Sequence, residues 1–274
     1  MNADRCEVGL LSVVRNLAGV GSLLPVAVGA AGIGLLNGNK RAGVNFLTAY
    51  WPQLLLSING VSLHVLGRAN LTVQRPAVFI FNHRNNFDAA MTAALVRDNW
   101  TGVAKKELQS DPITGTLGKL LDTAFIDRKD PQSAVESLHK IEELASRGLS
   151  VLVAPEGTRV DTGEVGPFKK GPFRIAMSAG IPIVPIVIRN AEHVAARNAS
   201  TLHPGTVDIA VFPPIPTTDW TIRTLPRRIA AVRQLYVDTL ADWPANDVLF
   251  AHRAKAGRPA RRKATSTTRP KEPS

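Results

Sequence analysis

The heptapeptide NHRNNFD, residues 82–88, places His83 five positions before Asp88 and directly follows the apolar, strand-like run Ala77 to Phe81. Imidazole titrates near neutral pH, and a carboxylate that is hydrogen-bonded to one ring nitrogen fixes the tautomer and raises the basicity of the other nitrogen. We therefore interpret His83 and Asp88 as a candidate acid/base pair. The pair has no partner serine, because the chain contains no G-x-S-x-G turn.

The spacing alone is a weak signal, since the chain repeats it at His203 and Asp208. There the dipeptide Pro204-Gly205 predicts a turn that leads into a strand, whereas the segment after His83 leads into a helix. We expect His203 to be a loop residue without a catalytic role. The strand-to-helix context of His83 therefore carries the inference.

Three further segments place cations where a strand gives way to a loop: KKEL at 105–108, FIDR at 125–128 and PEGTR at 155–159. In α/β domains, ligands collect at such strand ends. An arginine fork binds phosphate oxygens in bidentate fashion, and Gly157 lets backbone amides approach a ligand closely. Each segment alone is more typical of a solvated loop charge or a surface salt bridge. Together with His83 they indicate a site for an anionic substrate.

From about residue 62 onwards, short β-rich runs alternate with helical ones, which is typical of an α/β domain. The predicted strands are Leu63 to Leu66, Ala77 to Phe81, Thr101 to Ala104, Thr123 to Ile126, Ser150 to Ala154, Ile183 to Ile188 and Val207 to Phe212. The predicted helices are Asp88 to Val96, Ser133 to Arg147 and Thr224 to Asp242. In the second helix, Ser133 and Glu136 fit a capping box, and Gly148 fits a helix stop.

The net charge of +11 over 274 residues belongs largely to the C-terminal tail. Residues 251–274 hold eight Lys/Arg against the single Glu272, which accounts for +7 of the total. The tail is rich in Pro, Ser and Thr and has no apolar periodicity, so we expect disorder, with the tail either solvated or in contact with anionic lipid. Nucleic-acid binding is disfavoured, because the basic residues are not interleaved with aromatic ones.

The residue types also disfavour metal and nucleotide chemistry. Cys6 is the only cysteine, so neither an intrachain disulfide nor a cysteine-rich metal site can form. No pair of histidines has metal-ligand spacing with a carboxylate on one helical face. The segment GTLGKL at 115–120 has Ile113 in place of the first P-loop glycine and Leu120 in place of the Ser/Thr that binds magnesium. We predict that the protein requires no metal.

The N-terminal segment predicts membrane association. Leu17 to Leu36 is twenty residues without a charge, bounded by Arg15 and Lys40. As a helix it would be about 30 Å long, the thickness of a hydrocarbon core. Its glycines and a proline, the polar break at 37–39 and a second apolar stretch, Val44 to Ile58, also suit a hairpin that dips into one leaflet. A cleavable signal peptide is disfavoured, and a buried soluble hairpin is the alternative.

The order of these elements resembles the glycerophospholipid acyltransferases, especially the 1-acylglycerol-3-phosphate (lysophosphatidate) O-acyltransferases. The four blocks of that family stand in order as NHRNNFD, KKEL with AFIDR, PEGTR followed by FKKGPFRIA, and IPIVPIVI. They lie within residues 60–215, and four ordered blocks are far more specific than one. The resemblance implies an α/β fold with a mixed, mostly parallel sheet flanked by helices, preceded by a membrane-embedded helical hairpin. It divides the chain into a membrane segment at 1–59, a catalytic domain at 60–249 and the basic tail at 250–274.

The resemblance also implies a mechanism. His83 would act as the general base that removes a proton from the glycerol hydroxyl of lysophosphatidate, which then attacks an acyl thioester to give phosphatidate. Asp88 would orient His83 and stabilise its imidazolium form. Acyl-CoA or acyl carrier protein would be the co-substrate, with no further cofactor. If the donor is cytosolic, the catalytic domain faces the cytoplasm.

The family motifs imply which residues bind the substrates. Five residues map onto positions linked to the acceptor phosphate: Arg128, Glu156, Gly157, Thr158 and Arg159, with Lys105 as a further candidate. Pro185 maps onto the fourth block, which is associated with the acyl-donor side.

The sequence departs from the family pattern at four places. Asn85 replaces a small hydroxyl residue, Asp122 a glycine, Ala154 a phenylalanine and Val160 a serine. These departures leave the base and the arginines intact, so the expected reaction class stands. The acceptor stays open, because another lysophospholipid, another polar lipid or glycerol-3-phosphate would use the same chemistry. A non-catalytic membrane protein that holds anionic lipid is the alternative outside the enzymes.

Overall fold

The structure, a computed structural model, describes residues 9–127, 131–160 and 164–244. Among the residues and segments singled out in the sequence, Cys6, Arg128 and the tail at 250–274 lie outside these ranges. The strands are β1 (Val61–Leu66), β2 (Val78–Phe81), β3 (Trp100–Lys105), β4 (Ala124–Ile126), β5 (Ser150–Val153), β6 (Ile183–Arg189) and β7 (Gly205–Val211). The helices are α1 (Leu10–Gly21), α2 (Leu23–Leu36), α3 (Lys40–Ile58), α4 (Asp88–Val96), α5 (Pro112–Leu120), α6 (Pro131–Ser146), α7 (Gly171–Ser178) and α8 (Leu225–Ala241).

The strands form one sheet in the order β1-β7-β6-β2-β5-β3-β4. Strands β6, β2, β5, β3 and β4 run parallel to one another, while β7 pairs antiparallel to β6 and parallel to β1. This arrangement confirms the predicted α/β fold with a mixed, mostly parallel sheet. The carboxyl ends of the five parallel strands consequently meet at one edge of the sheet, which is where such folds bind their ligands.

Strand β2 is the fourth of the seven strands in the sheet, and both of its faces are covered. All four of its residues, VFIF, are buried, as expected for a continuous apolar strand in a parallel sheet. Phe79 and Phe81 belong to the apolar layer shared with α3 and α4, whereas Val78 and Ile80 belong to the layer shared with α6, α7 and α8. The chain after Phe81 therefore leaves from the middle of the molecule.

The seven predicted strands agree with the observed strands to within two residues at each end. Helix α4 begins at Asp88 and ends at Val96, as predicted. The capping box expected at Ser133 is wrong, because α6 begins two residues earlier at Pro131 and Ser133 lies inside the helix. Gly148 follows α6 with a φ of 95°, a left-handed conformation that favours glycine and ends the helix.

The N-terminal residues form a helical hairpin. Helices α1 and α2 together cover Leu10–Leu36, a stretch of 27 residues that is apolar and long enough to cross a membrane and is mostly exposed. The two helices separate at Ser22, since Pro25 has no N–H and its ring crowds the carbonyl of Gly21. After a turn, α3 returns along α2 at close range, and a Cβ placed on Gly43 would lie 2.3 Å from the Ala30 carbonyl oxygen. The expected hairpin is thus present in the fold.

Helix α3 also joins this hairpin to the sheet. Val44, Leu55 and Leu56 are buried in the same apolar layer as Phe79 and Met91. By contrast, Leu10, Leu17, Leu24, Leu35 and Leu36 of α1 and α2 are each more than 60% exposed. The hairpin therefore has one surface fixed to the α/β domain and one apolar surface that the described residues leave uncovered.

Candidate active site

His83 and Asp88 form the hydrogen-bonded pair that their spacing predicts. His83 Nδ1 lies 2.9 Å from Asp88 Oδ2, and the carboxylate is fully buried while the imidazole is 25% exposed. His83 occupies the second position after β2, and Asp88 is the first residue of α4. Because the carboxylate engages Nδ1, the other ring nitrogen, Nε2, is the one available to a substrate.

The loop between strand and helix folds around the Asp88 carboxylate. Oδ2 also accepts the backbone N–H groups of Arg84 and Asn85, the latter at 2.8 Å. Three donors thus converge on one oxygen at the N-terminus of α4, where the helix dipole also favours a negative charge. This network fixes the position of Asp88 and, through it, the orientation of the His83 ring.

Asn82 fixes the start of the loop to the neighbouring strand β6. Its side-chain amide donates to the Ile188 carbonyl oxygen at 2.9 Å, and its Oδ1 accepts the Ile188 N–H at 2.7 Å. The side chain is fully buried, so both bonds satisfy groups that water cannot reach. His83 therefore follows directly on a residue that is fixed to the sheet.

Glu156 holds the backbone of His83. Its Oε2 accepts the His83 N–H at 2.9 Å, and its Oε1 accepts the Gly166 N–H at 3.0 Å. Glu156 lies in a turn that is closed by a hydrogen bond from the Gly157 N–H to the Ala154 carbonyl. Gly157 has a φ of 69°, so this position favours glycine for its left-handed backbone.

The surroundings of Glu156 are electrostatically unusual. Its side chain is 3% exposed, and this burial raises the pKa of the carboxyl, although the amides of His83 and Gly166 and the charge of Arg84 act in the opposite direction. Arg84 is itself buried, at 6% exposure.

Sequence reasoning assigned no role to Asn82 or Arg84, although both lie in the same heptapeptide as the histidine.

Arg159 joins three loops at the site. Its guanidinium donates to Asn86 Oδ1 and to the Arg197 carbonyl oxygen, and Arg197 donates back to the Arg159 carbonyl at 2.7 Å. The two acceptors of Arg159 are neutral oxygens. Asn86 lies in the loop that carries His83, so the structure brings the Arg159 charge to the wall of the site.

The other described residues predicted to bind substrate lie at three different places in the fold. Lys105 is the last residue of β3, two strands from β2 and so about 10 Å away across the sheet. Thr158 is exposed in the turn after β5. Pro185 is buried in the middle of β6, opposite Ile80 of β2, rather than at the strand end. Arg128 lies outside the described residues.

His203 provides an internal comparison. It lies in a loop, and its Nδ1 is 3.3 Å from Ser12 Oγ. Asp208, five positions later, instead accepts hydrogen bonds from Arg189 and Asn190 and lies 3.2 Å from His64 Nδ1. Equal spacing therefore gives two different structures, and within the described residues only the strand-to-helix turn pairs the ring with its aspartate.

Three of the four departures from the family pattern have a structural explanation. The Asn85 side chain is fully buried and donates to the carbonyls of Ala191 and Ala195, so it connects the loop to the segment after β6. Asp122 has a φ of 57°, a conformation that a glycine adopts without strain and an aspartate tolerates. The Val160 N–H donates to the His83 carbonyl at 3.0 Å, a contact that any residue except proline can make. Nothing in the structure explains Ala154.

The geometry can support one kind of chemistry. A histidine base is oriented by a buried carboxylate at the carboxyl end of a central parallel strand, and its own backbone is held by a second carboxylate. Such a base can remove a proton from a hydroxyl that a substrate supplies. Arginine charges near the ring suit a substrate with an anionic group.

Comparisons with known proteins point to acyl transfer. A family model described as Acyltransferase matches residues 62–189, which include β2, β5, β6 and the site. The 1-acyl-sn-glycerol-3-phosphate acyltransferase of Cocos nucifera is 30% identical over 206 residues, which are 70% of this chain and 67% of the relative. The enzyme of the same name from Saccharomyces cerevisiae is 33% identical over 186 residues, 67% of this chain and 61% of the relative.

The fold also has a solved counterpart. The crystal structure of PlsC from Thermotoga maritima, described as a 1-acyl-sn-glycerophosphate (LPA) acyltransferase, superposes with a TM-score of 0.66 at 22% sequence identity. The match covers 85% of this chain and 99% of that protein. At this level of identity the superposition establishes the shared fold.

Proposed function

This chain belongs to the glycerophospholipid acyltransferase family, and from that premise we propose that it transfers a fatty acyl group from an acyl thioester to the free hydroxyl of lysophosphatidate. The product is phosphatidate, an intermediate of phospholipid biosynthesis. His83 acts as the general base, and acyl-CoA or acyl carrier protein supplies the acyl group. The enzymes from Cocos nucifera and Saccharomyces cerevisiae support the choice of acceptor, since both are named for this reaction.

The proposed step balances without any further reactant. The acceptor hydroxyl gives its proton to His83 Nε2 while its oxygen bonds to the acyl carbonyl carbon. The C–S bond then breaks, and the imidazolium returns the proton to the departing sulfur, so that the free thiol leaves. Asp88 stabilises the imidazolium between these two proton transfers. No serine is needed, because the substrate itself is the nucleophile.

One observation carries the proposal: the 2.9 Å contact between His83 Nδ1 and the buried Asp88 carboxylate. It orients Nε2 and supports a positive charge on the ring, which is what a base acting on a hydroxyl requires. A correctly placed base of this kind contributes about 10² to 10⁴ in rate.

The acceptor phosphate binds, in this proposal, to the arginine side of the site. Arg159 is the described residue best suited to it, because the guanidinium is held at the loop of His83 by neutral acceptors. Gly157 and Thr158 form the adjoining turn, and Arg128 and Lys105 would extend the cationic surface. Glu156 is not part of the phosphate site, because both of its oxygens bind backbone amides and its own charge would repel a phosphate.

The reaction takes place at a membrane surface in this proposal. Lysophosphatidate resides in the bilayer, and the exposed apolar side of helices α1 and α2 supports membrane attachment. Both candidate donors are cytosolic thioesters, so the catalytic domain faces the cytoplasm.

The experiment is an acyl-transfer assay on membranes that contain the protein. Lysophosphatidate, lysophosphatidylglycerol and glycerol-3-phosphate are each offered with acyl-CoA and with acyl carrier protein. We expect phosphatidate formation with lysophosphatidate, and a loss of at least about 10²-fold in kcat for His83→Ala. His203→Ala is the matched control, since it changes the histidine with the same spacing to an aspartate, and we expect it to keep wild-type activity.

Full activity of His83→Ala would refute the general-base role. Turnover of only one of the other two acceptors would refute the assignment to lysophosphatidate while leaving the acyltransferase chemistry intact.

A further inference from the structure

A cleft of about 470 Å³ opens at the carboxyl end of β6, next to the loop that carries His83. Its cationic lining consists of Arg84, Arg189 and Arg233. Its apolar lining includes Ile188 of β6 and Val237 and Leu240 of α8, and the carboxylates of Glu164 and Glu192 also face it. His83 is not among its lining residues. The cleft thus adjoins the catalytic loop without containing the base.

Arg233 is fixed in this cleft. Its Nε donates to the Gly166 carbonyl at 2.9 Å, and its Nη2 donates to the Val165 carbonyl. Both acceptors are neutral, and within residues 9–127, 131–160 and 164–244 no carboxylate forms an ion pair with Arg233. Arg189 differs, because it forms an ion pair with Asp208 at 2.7 Å. The geometry of the Arg233 guanidinium is therefore set in advance by two main-chain carbonyls and not by a carboxylate partner.

The position of the cleft decides which anion suits it. In lysophosphatidate the phosphate is only a few bonds from the reacting hydroxyl, so that phosphate has to lie beside His83. His83 does not line the cleft, so an anion bound there is not held against the ring of His83. In an acyl thioester donor the nearest phosphate is separated from the sulfur by the whole length of a pantetheine arm, which combines methyl groups with amides. The apolar residues of the cleft, together with Asn190, match that combination.

We propose that this cleft binds the phosphopantetheine arm of the acyl donor, with Arg233 facing its phosphate. The proposal rests on the acyl transfer proposed above. It names the chemistry that acyl-CoA and acyl carrier protein share, since both present the acyl group on the same phosphorylated arm. Electrostatic attraction in a partly buried cleft is stronger than in bulk water, so one fixed guanidinium suffices to discriminate a phosphorylated donor.

The test compares two donors that differ in one group: palmitoyl-pantetheine and palmitoyl-4′-phosphopantetheine, each with lysophosphatidate as acceptor. For the wild-type protein we expect kcat/KM to be about tenfold higher with the phosphorylated donor. Arg233→Gln should remove that preference, so that the ratio of kcat/KM for the two donors falls to about one. The ratio is taken within one variant, so a change in rate that is common to both donors does not affect it, and measurable transfer from palmitoyl-pantetheine shows that the variant is folded.

Arg228→Gln is the matched control. Arg228 lies on the same helix α8 but forms an ion pair with Asp219 outside the cleft, so the donor preference should persist. If Arg233→Gln fails to fold, Arg233→Lys, which keeps the charge but not the fork, should give a donor preference between tenfold and none. The comparison of the two pantetheine donors in the wild-type protein tests the proposal even if both variants fail to fold.

Assays with palmitoyl-CoA and with palmitoyl carrier protein distinguish the two donors that carry the phosphopantetheine arm. If Arg233→Gln lowers kcat/KM equally with palmitoyl-CoA and with palmitoyl carrier protein, the result supports a site for the phosphate that the two donors share. If kcat/KM falls with only one of these donors, the proposal is overturned in favour of a site for the nucleotide or for the carrier protein. A wild-type protein that uses both pantetheine donors equally well also overturns the proposal. Absence of any acyl transfer to lysophosphatidate with all donors would instead contradict the proposed function itself.

Discussion

The carboxylate of Glu156 binds the backbone of His83, with 2.9 Å between Glu156 Oε2 and the His83 amide nitrogen. The two residues are 73 positions apart in the chain and meet because β2 and β5 are neighbours in the sheet. Asp88 therefore orients the imidazole ring, while Glu156 fixes the main chain from which that ring extends.

Glu156→Gln should lower kcat at least about tenfold and leave the KM of lysophosphatidate unchanged. The amide can accept only one of the two backbone N–H groups and turns a donor towards the other, which leaves a buried N–H unpaired at a cost of about 1–3 kcal/mol. Steady-state kinetics at varied lysophosphatidate measure the effect. Glu143→Gln is the control, because Glu143 pairs with Arg147 on the exposed side of α6, makes no contact with His83 in the described structure and should behave as wild type. An increase in KM with unchanged kcat would assign Glu156 to acceptor binding instead.

Asp88→Asn should lower kcat by about 10² to 10⁴. The asparagine is neutral and cannot stabilise an imidazolium, although its one amide oxygen can still accept the donors that converge on Asp88 Oδ2. Single-turnover acyl transfer measures the chemical step directly. Asp242→Asn, at an exposed position beyond α8, makes the same chemical change and should leave the rate unaltered. A wild-type rate in Asp88→Asn would show that the pairing with His83 is dispensable.

Tyr236→Phe should destabilise the protein by about 1–3 kcal/mol. The Tyr236 hydroxyl is fully buried, donates to the Ile80 carbonyl at 2.7 Å and accepts the Ile186 N–H at 3.2 Å, so it fastens α8 to β2 and β6. Thermal unfolding in detergent should show a lower midpoint. Tyr50 is the other tyrosine of the chain and is 50% exposed. Its replacement by phenylalanine should leave the midpoint unchanged, and equal midpoints for both variants would contradict the role of Tyr236.

Asp208→Asn should destabilise the protein at neutral pH by about 1–3 kcal/mol and by less in acid. Burial raises the pKa of Asp208, but the hydrogen bonds and charges of Arg189 and His64 outweigh it, so the pKa is lowered overall. A carboxyl whose pKa is lowered by folding contributes stability above its unfolded pKa of about 3.9, and that contribution is lost as the pH falls through the folded value. Unfolding midpoints of both proteins at pH 7, 5 and 3.5 measure this. A difference in midpoint between the two proteins that stays constant down to pH 3.5 would contradict a stabilising role of the ionised Asp208 carboxylate.

The sequence predicts the seven strands and helix α4 well, but helices α5 and α7 poorly. Alternating apolar runs and turn residues mark each strand, and Asp88 marks the start of α4, so local patterns suffice for these elements. Helix α7 begins at Gly171-Pro172, and α5 begins at Pro112 after Asp111. A proline in the first turn is compatible with a helix, yet Gly-Pro and Asp-Pro are equally typical of turns. Both helices are also too short for a strong periodic signal.

The site was predictable only where its contacts are local. The pairing of His83 with Asp88 spans five residues and follows from a strand, a turn and a helix in succession. The contacts of His83 with Glu156 and of Asn82 with Ile188 span 73 and 106 residues. They depend on the strand order β6-β2-β5, which no local pattern encodes. The same reason hid Arg233, whose place beside the loop of His83 depends on the packing of α8 against β6.

Asn82 has a consequence for how the central strand can end. A strand backbone offers its neighbour one donor and one acceptor, and the Asn82 side chain offers Ile188 the same two groups. The sheet is thereby completed by a side chain one residue past β2, and the main chain is released to turn away without leaving Ile188 unpaired. A leucine here would satisfy neither group of Ile188, and an aspartate only one of them. The abrupt turn that carries His83 therefore depends on a side-chain amide that makes the two hydrogen bonds of a main-chain peptide group.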